Sequence, residues 1–225
     1  MQEARQLSRP DAVAMATTHA WLVGWCIRSN PESLLQDADE HLAFAAEHGL
    51  GLQQALGRIY RGWSLAALGH ADEGLTAIGT GLAGLAETGS MMWRPLELGV
   101  FADACRISGQ LPPALGHLTE AQRLTDETGE RWTLAETLRL RGDVLAAMGD
   151  RAGAEAGYRE AIAIAQRQSA KLWEFRAATS LARLWRDQGK RAEARDLLAP
   201  VYGWFTEGFG TPVLEEAKAL LAEVA

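Results

Sequence analysis

Glycine recurs in this chain at a fixed step, and that step restricts the fold more than any other feature. Gly69, Gly109, Gly149 and Gly189 stand forty residues apart. Gly49, Gly89 and Gly129 form a second series at the same step, and Ser169 takes the next place in it. A period of this length is the mark of stacked supersecondary units, each too small to bury its apolar face alone. A glycine directly after an apolar-periodic segment reads as the residue past a helix end, where the backbone turns left-handed. Two such stops per period predict two helices per repeat.

The segments between the stops are helical by pattern. In 131–148, Leu134, Leu138, Leu145, Met148 and the stem of Arg141 fall on one helical face, and in 151–167 so do Ala154, Tyr158, Ala161, Ile162 and Ala165. First helices are predicted at 11–28, 51–68, 91–108, 131–148 and 171–188. Second helices are predicted at 32–48, 71–87, 112–127, 151–167 and 191–206. A last helix near 212–224 has Thr211 as its N-cap, Pro212 as its first residue, and Glu215 and Glu216 in its first turn. Alanine and leucine dominate, and β-branched residues are sparse, which favours helix over sheet. The expectation is one all-α repeat domain over 1–225, with repeats at 11–49, 50–89, 90–129, 130–169 and 170–206 and a capping helix at 211–225.

Within the period, a small residue midway along the first helix is followed by the turn glycine. A small, a large and a small residue then follow along the second helix. The fourth repeat has Gly142, Gly149, Ala154, Tyr158 and Ala161; the third has Ala102, Gly109, Ala114, Leu118 and Ala121. The fifth has Ala182, Gly189, Ala194, Leu198 and Val201, and the second Gly62, Gly69, Gly74, Ile78 and Gly81. This resembles the tetratricopeptide (TPR) pattern and implies a right-handed solenoid of helical hairpins. The first repeat departs from it, with Leu22, Ser29, Leu34, Ala38 and His41, and reads as a cap or a degenerate unit. A step of forty instead of about thirty-four implies helices about one turn longer. The phrase at 177–224, with "AEHGL", "GWSLAALG" and "ETGERW", resembles the C-terminal repeat region of large bacterial signalling ATPases, many of which begin with a class III adenylate or guanylate cyclase domain. The resemblance implies a repeat array and carries neither the cyclase nor the ATPase activity, whose domains are absent.

Charge and composition exclude several classes. A net charge of -7 opposes general nucleic-acid binding, which needs a basic face. The seven Lys and Arg in 171–195, against three acids, read as a solvated face. Cys26 and Cys105 form no CxxC pair and read as buried thiols in a reducing, cytoplasmic setting. Met1-Gln2-Glu3-Ala4-Arg5 is polar and carries no signal-peptide core, and no apolar run is long enough to span a bilayer.

No motif for chemistry survives its context. Gly79-Thr80-Gly81-Leu82-Ala83-Gly84 spells GxGxxG, but it lies inside a predicted helix, whereas a dinucleotide fingerprint follows a strand. Its interior glycines weaken the helix at 71–87. Gly189-Lys190 has no first glycine of a phosphate loop, since Leu184 stands there. Asp37 and His41 are four apart on one face, a spacing a metal uses, yet no further ligands accompany them, and a solvated or capping histidine is the expectation. Arg141-Gly142-Asp143 is helical, and Gly142 is the small packing residue. No catalytic group, cofactor or metal is assigned.

Because TPR-like arrays bind along their first helices, the resemblance implies a partner-binding groove. Aligning the repeats places His19, Val23, Ile59, Trp63, Leu96, Asp103 and Arg106 along it, then Glu136, Arg139, Asp143, Arg176, Arg183 and Arg186. The set runs from apolar to charged. It implies a protein or peptide partner with apolar and acidic segments, held by Trp63 and an arginine row. The competing reading is internal: Glu136, Asp143 and Asp187 neutralise Arg139, Arg183 and Arg186. Trp93 and Trp173, at equivalent places, are expected to pack between repeats. The leading function is a docking or regulatory scaffold of a bacterial signalling system, with homodimers allowed by uncovered ends. The alternative is a small-molecule-binding array using the apolar stretch near Trp63.

Overall fold

The computed structural model describes residues 10–27, 30–90 and 93–225. The expectations for the N-terminal pentapeptide, for Ser29 and for the first two residues of the predicted helix 91–108 lie outside the described residues. Among the described residues there are eleven helices and no strand. They are α1 (Pro10–Cys26), α2 (Pro31–Glu47), α3 (Gly51–Ala67), α4 (Ala71–Glu87), α5 (Arg94–Ile107), α6 (Leu111–Thr128), α7 (Leu134–Ala147), α8 (Arg151–Arg167), α9 (Lys171–Asp187), α10 (Arg191–Tyr202) and α11 (Pro212–Glu223). The chain divides into two compact units, residues 1–110 with α1–α5 and residues 111–225 with α6–α11.

The glycine ladder acts as expected. Gly49, Gly69, Gly89, Gly109, Gly129, Gly149 and Gly189 all have φ between 65° and 91°, and Ser169 adopts the same left-handed turn at 54°. After six helices the same pair of backbone hydrogen bonds recurs. Gly69 N–H donates to Ala66 O and His70 N–H reaches back to Leu65 O; Gly149 with Ala146 and Asp150 with Leu145 repeat it. This pairing satisfies the last helical carbonyls and reverses the chain sharply, so the next helix starts two residues on.

Three boundaries differ from the pattern-based ranges. α5 starts at Arg94 because Trp93 is itself left-handed, with φ 62°, and proline occupies the helix's first turn. α7 starts at Leu134, after a tight turn in which Leu134 N–H donates to Arg131 O. α10 stops at Tyr202, well short of 206, because Pro200 inside it removes a backbone donor. Thr211 holds the N-cap position of α11, but its hydroxyl donates to Gly208 O at 2.7 Å, which ties down the preceding turn instead of capping the helix.

In the first unit α3 is central and packs on α1, α2, α4 and α5. The helices α3 and α4 approach closely through paired glycines: a Cβ on Gly62 would lie 2.5 Å from Gly74 O, and one on Gly81 2.7 Å from Ala55 O. In the second unit α9 takes the central place against α7, α8, α10 and α11. There Gly142 faces the Tyr158 ring, and a Cβ would meet it at 2.5 Å. Most second-helix places expected to pack do so, with Ala114, Ala154, Ala161, Ala194 and Leu198 fully buried, while Val201 in the fifth repeat is half-buried. Each wholly buried leucine contributes roughly 2 kcal/mol. In repeat 1 the close approach falls at Gly24, against Leu34.

Candidate interaction surface

The forty-residue step sets side chains of neighbouring first helices side by side. In the first unit Trp63 Nε1 on α3 donates to Asp103 Oδ2 on α5 at 2.9 Å, and the two positions are one repeat apart. Asp103 also accepts from Arg106 at 2.7 Å and 3.1 Å. Trp63, Ile59 and Leu96 retain only 5%, 0% and 2% of their surface. The apolar end assigned to the groove is thus interior at these three residues, because adjacent helices close over the places where first helices meet. Val23 is exposed, and His19 lies edge-on to Trp93 with ring centroids 5.2 Å apart.

The second unit gathers the charged residues. Arg139 on α7 forks onto Glu136 at 2.7 Å and 2.9 Å and reaches Asp143 at 2.5 Å. From α9, Arg176 binds the same Glu136 at 2.8 Å, and Ser180 accepts from Arg139 at 3.3 Å. Asp143 in turn accepts from the Tyr158 hydroxyl at 2.7 Å, and burial followed by this carboxylate pushes the Tyr158 pKa up. Glu136, Arg139 and Arg176 are buried. Two carboxylates and two guanidiniums form a desolvated cluster, costly to break at either sign. Arg183 pairs with Glu216, and Arg186 with Asp187 and, at 2.6 Å, Glu223, so both tie α9 to α11. Internal pairing therefore engages every arginine of the expected row. Arg106, Arg183 and Arg186 keep solvent-exposed surface, at 23%, 35% and 28% of their side chains, and have room to exchange a carboxylate. Exposed pairs of this kind hold by about 1 kcal/mol or less.

Several groups escaped the sequence reading. Glu97 on α5 is wholly buried, and among the described residues neither of its carboxyl oxygens has a hydrogen-bond partner. Burial pushes its pKa up to about 8, against the pull of Arg94 and the Tyr60 hydroxyl. Its repeat place holds Gly57, Thr137 and Ala177 elsewhere, and that run of small or uncharged residues was the available signal. His41, expected at the surface or as a cap, is buried edge-on against Trp21 at 4.4 Å, and burial lowers its pKa. It lies where small residues stand in other repeats, so it is enclosed by the same helix contact. Trp204 and Phe209 in the turn before α11 are exposed, and Phe205 between them packs edge-on to Phe175 at 4.9 Å.

The remaining motifs are structural. The GxGxxG phrase is helical within α4. Cys26 and Cys105 are buried, and burial pushes the Cys105 thiol up to about 11. Among the described residues no three His, Cys, Asp or Glu side chains are placed to hold a metal, and no helix is long and apolar enough to cross a membrane.

No family model matches this chain. An uncharacterized protein of Rhizobium meliloti (strain 1021) is 29% identical over 158 residues, covering 70% of this chain but 15% of the relative, so the chain spans a small part of that relative's length. Among solved structures, two of the TPR-like repeats of a Podosopora anserina putative kinesin light chain are similar at 16–17% identity. One has a TM-score of 0.58 over 86% of this chain and 94% of that one, the other 0.56 over 96% and 98%. A Rap protein complexed with Competence and Sporulation Factor has a TM-score of 0.69 at 16% identity, over 92% of this chain and 63% of that one. The packed hairpins and these likenesses together define an all-α, TPR-like helical-hairpin repeat fold.

Proposed function

We propose that this chain is a non-catalytic scaffold that binds a protein or peptide along its first helices, as a docking or regulatory module of a bacterial signalling system. A comparison of the chain with itself carries the reading. Packing places repeat with nearly constant residues: Ala114, Ala154 and Ala194 occupy one, Ala121 and Ala161 another. One first-helix place instead runs Trp63, Asp103, Asp143, Arg183, and another Leu96, Glu136, Arg176. Of these, Trp63, Asp103, Leu96, Glu136 and Arg176 are buried, so a partner selects among the first-helix side chains that keep solvent exposure, Arg106, Arg183 and Arg186. The Rap neighbour is complexed with Competence and Sporulation Factor, which adds weight to a binding role for this fold. The Rhizobium meliloti relative, far longer than this chain, supports a place within a larger protein, and the resemblance of 177–224 alone suggests that protein is of the cyclase- or ATPase-type signalling kind. Within this reading residues 1–225 act as one binding domain, and Arg106, Arg183 and Arg186 are its adjustable contacts.

The test compares the native chain with an Arg183→Glu, Arg186→Glu variant as baits, then measures the affinity of any captured protein directly. A partner bound by the first and lost by the second, with both baits equally folded, supports the reading. Equal affinity for both removes this face from the interaction. A small molecule carried through purification by a chain that captures no polypeptide would instead favour the ligand-binding alternative.

A further inference from the structure

We propose that α11 masks the arginine pair of α9: Glu216 and Glu223 hold Arg183 and Arg186 as a built-in competitor, and an acidic segment of the partner binds by displacing these two carboxylates while α11 stays seated. The inference rests on the reading of Arg183 and Arg186 as partner contacts given above.

The forty-residue register identifies α11. Ala222 stands forty residues beyond Ala182, and Ala182 forty beyond Gly142, the small residue midway along the first helices. Val213, Ala217 and Leu220 are buried, as are Trp173, Ala177 and Ser180 one repeat earlier. α11 packs on α9 and α10, as α9 packs on α7 and α8. It therefore fills the place of a sixth first helix. Along these places the charge alternates from repeat to repeat. One reads Glu136, Arg176, Glu216 and another Asp143, Arg183, Glu223. α11 thus offers α9 acids at the places where α7 carries them.

Burial separates the two sets of contacts. Arg176 and Glu136 keep only 6% and 2% of their side-chain surface, so their pair is fixed inside the unit. Arg183 and Glu216 keep 35% and 40%, and Arg186 and Glu223 keep 28% and 54%. Water and an incoming carboxylate reach both of these pairs, and exposed pairs of this kind exchange at little cost. Val213, Leu214, Ala217 and Leu220 are buried and hold α11 in place without them. Exchange of the carboxylates therefore does not require the helix to leave.

Glu223 also stands where α11 itself gains nothing from an acid. It closes the helix, and the macrodipole disfavours negative charge in the last turn. Arg186, 2.6 Å away on α9, supplies the reason for it. Arg183 and Arg186 are three residues apart on one face of α9, and each guanidinium fork takes a carboxylate. The competitor thus states the chemistry of the partner: two acids on one segment.

The test uses a fluorescently labelled peptide of Ala and Glu, with glutamates seven residues apart as Glu216 and Glu223 are, and a twin with Gln for Glu. Anisotropy at low salt is read against the native chain, a Glu216→Gln, Glu223→Gln chain and the Arg183→Glu, Arg186→Glu chain. A Glu160→Gln, Glu193→Gln chain, altered at exposed acids of α8 and α10, controls for net charge. Circular dichroism confirms folding, and hydrogen exchange reports whether α11 stays seated. The expected result is binding of the Glu peptide about tenfold tighter to the Glu216→Gln, Glu223→Gln chain than to the native or control chain. Binding is expected to be lost on arginine reversal and absent for the Gln twin, with α11 still protected. Equal affinity for native and unmasked chains, both lost on arginine reversal, overturns the mask and leaves the α9 face standing as a partner surface. Binding that survives arginine reversal overturns both readings. No binding to the unmasked chain overturns the mask, as does tighter binding that appears only when α11 loses its protection, since the helix and not its carboxylates then covers the site.

Discussion

Replacing Glu97 by Gln tests the packing between repeats at its most exposed assumption, that a carboxylic acid is carried neutral inside the first unit. Burial holds its folded pKa near 8, whereas the ordinary value is 4.5. Between those values the native state keeps a proton that the unfolded chain has released. Stability from this residue is thus complete below pH 4.5 and falls as pH rises toward 8, by about 1.4 kcal/mol per pH unit. From pH 5.5 to 7.5 the native chain should lose about 3 kcal/mol relative to Glu97→Gln. The amide has no proton to lose, and any fixed cost of fitting it cancels in the difference. Urea unfolding followed by circular dichroism at several pH values measures both chains. The Arg94 charge and the neutral Tyr60 hydroxyl also act on Glu97 and are common to both proteins. Parallel stability profiles would refute the reasoning, because they would mean that Glu97 is ionised and solvated in the folded state.

Three further outcomes are expected. In α4, Gly79 has open space where a Cβ would sit, so Gly79→Ala should raise stability by up to about 1 kcal/mol in thermal melts; Gly81→Ala, facing Ala55 O at 2.7 Å, should lower it by about 1–3 kcal/mol, and the same sign for both would sink the close-packing account. Ser169→Gly relieves a left-handed serine and should stabilise the second unit by about 1 kcal/mol, read from its unfolding midpoint. Arg139→Met strands Glu136 and Asp143 beside a single buried guanidinium and should cost about 3–5 kcal/mol, a loss that high salt leaves largely unchanged if the cluster is desolvated.

The scaffold was legible in the sequence because its instructions are local. A left-handed turn can be read from one residue and its neighbours, so the glycines, and Ser169 in their register, marked the helix ends. The boundaries that moved, at Arg94, Leu134 and Tyr202, involve a left-handed Trp93, a tight turn and Pro200, features that a uniform repeat overrides on paper but not in the chain. The pairing of Arg139 with Glu136 and Asp143 was also open to reading, since three- and four-residue spacings share a helical face.

Contacts across repeats were not legible. Counting back from each glycine finds equivalent places but not what lies over them. Trp63 was thus expected at a surface and is buried against Asp103, and His41 is enclosed beside Trp21. The pairing of Arg183 and Arg186 with Glu216 and Glu223 required α11 to fold back on α9. The sequence by itself determined where helices begin, turn and repeat, because backbone preference acts over a few residues. Only the tertiary structure decided which equivalent side chains are core, which are paired and which stay open, because burial depends on the helix that arrives from another repeat.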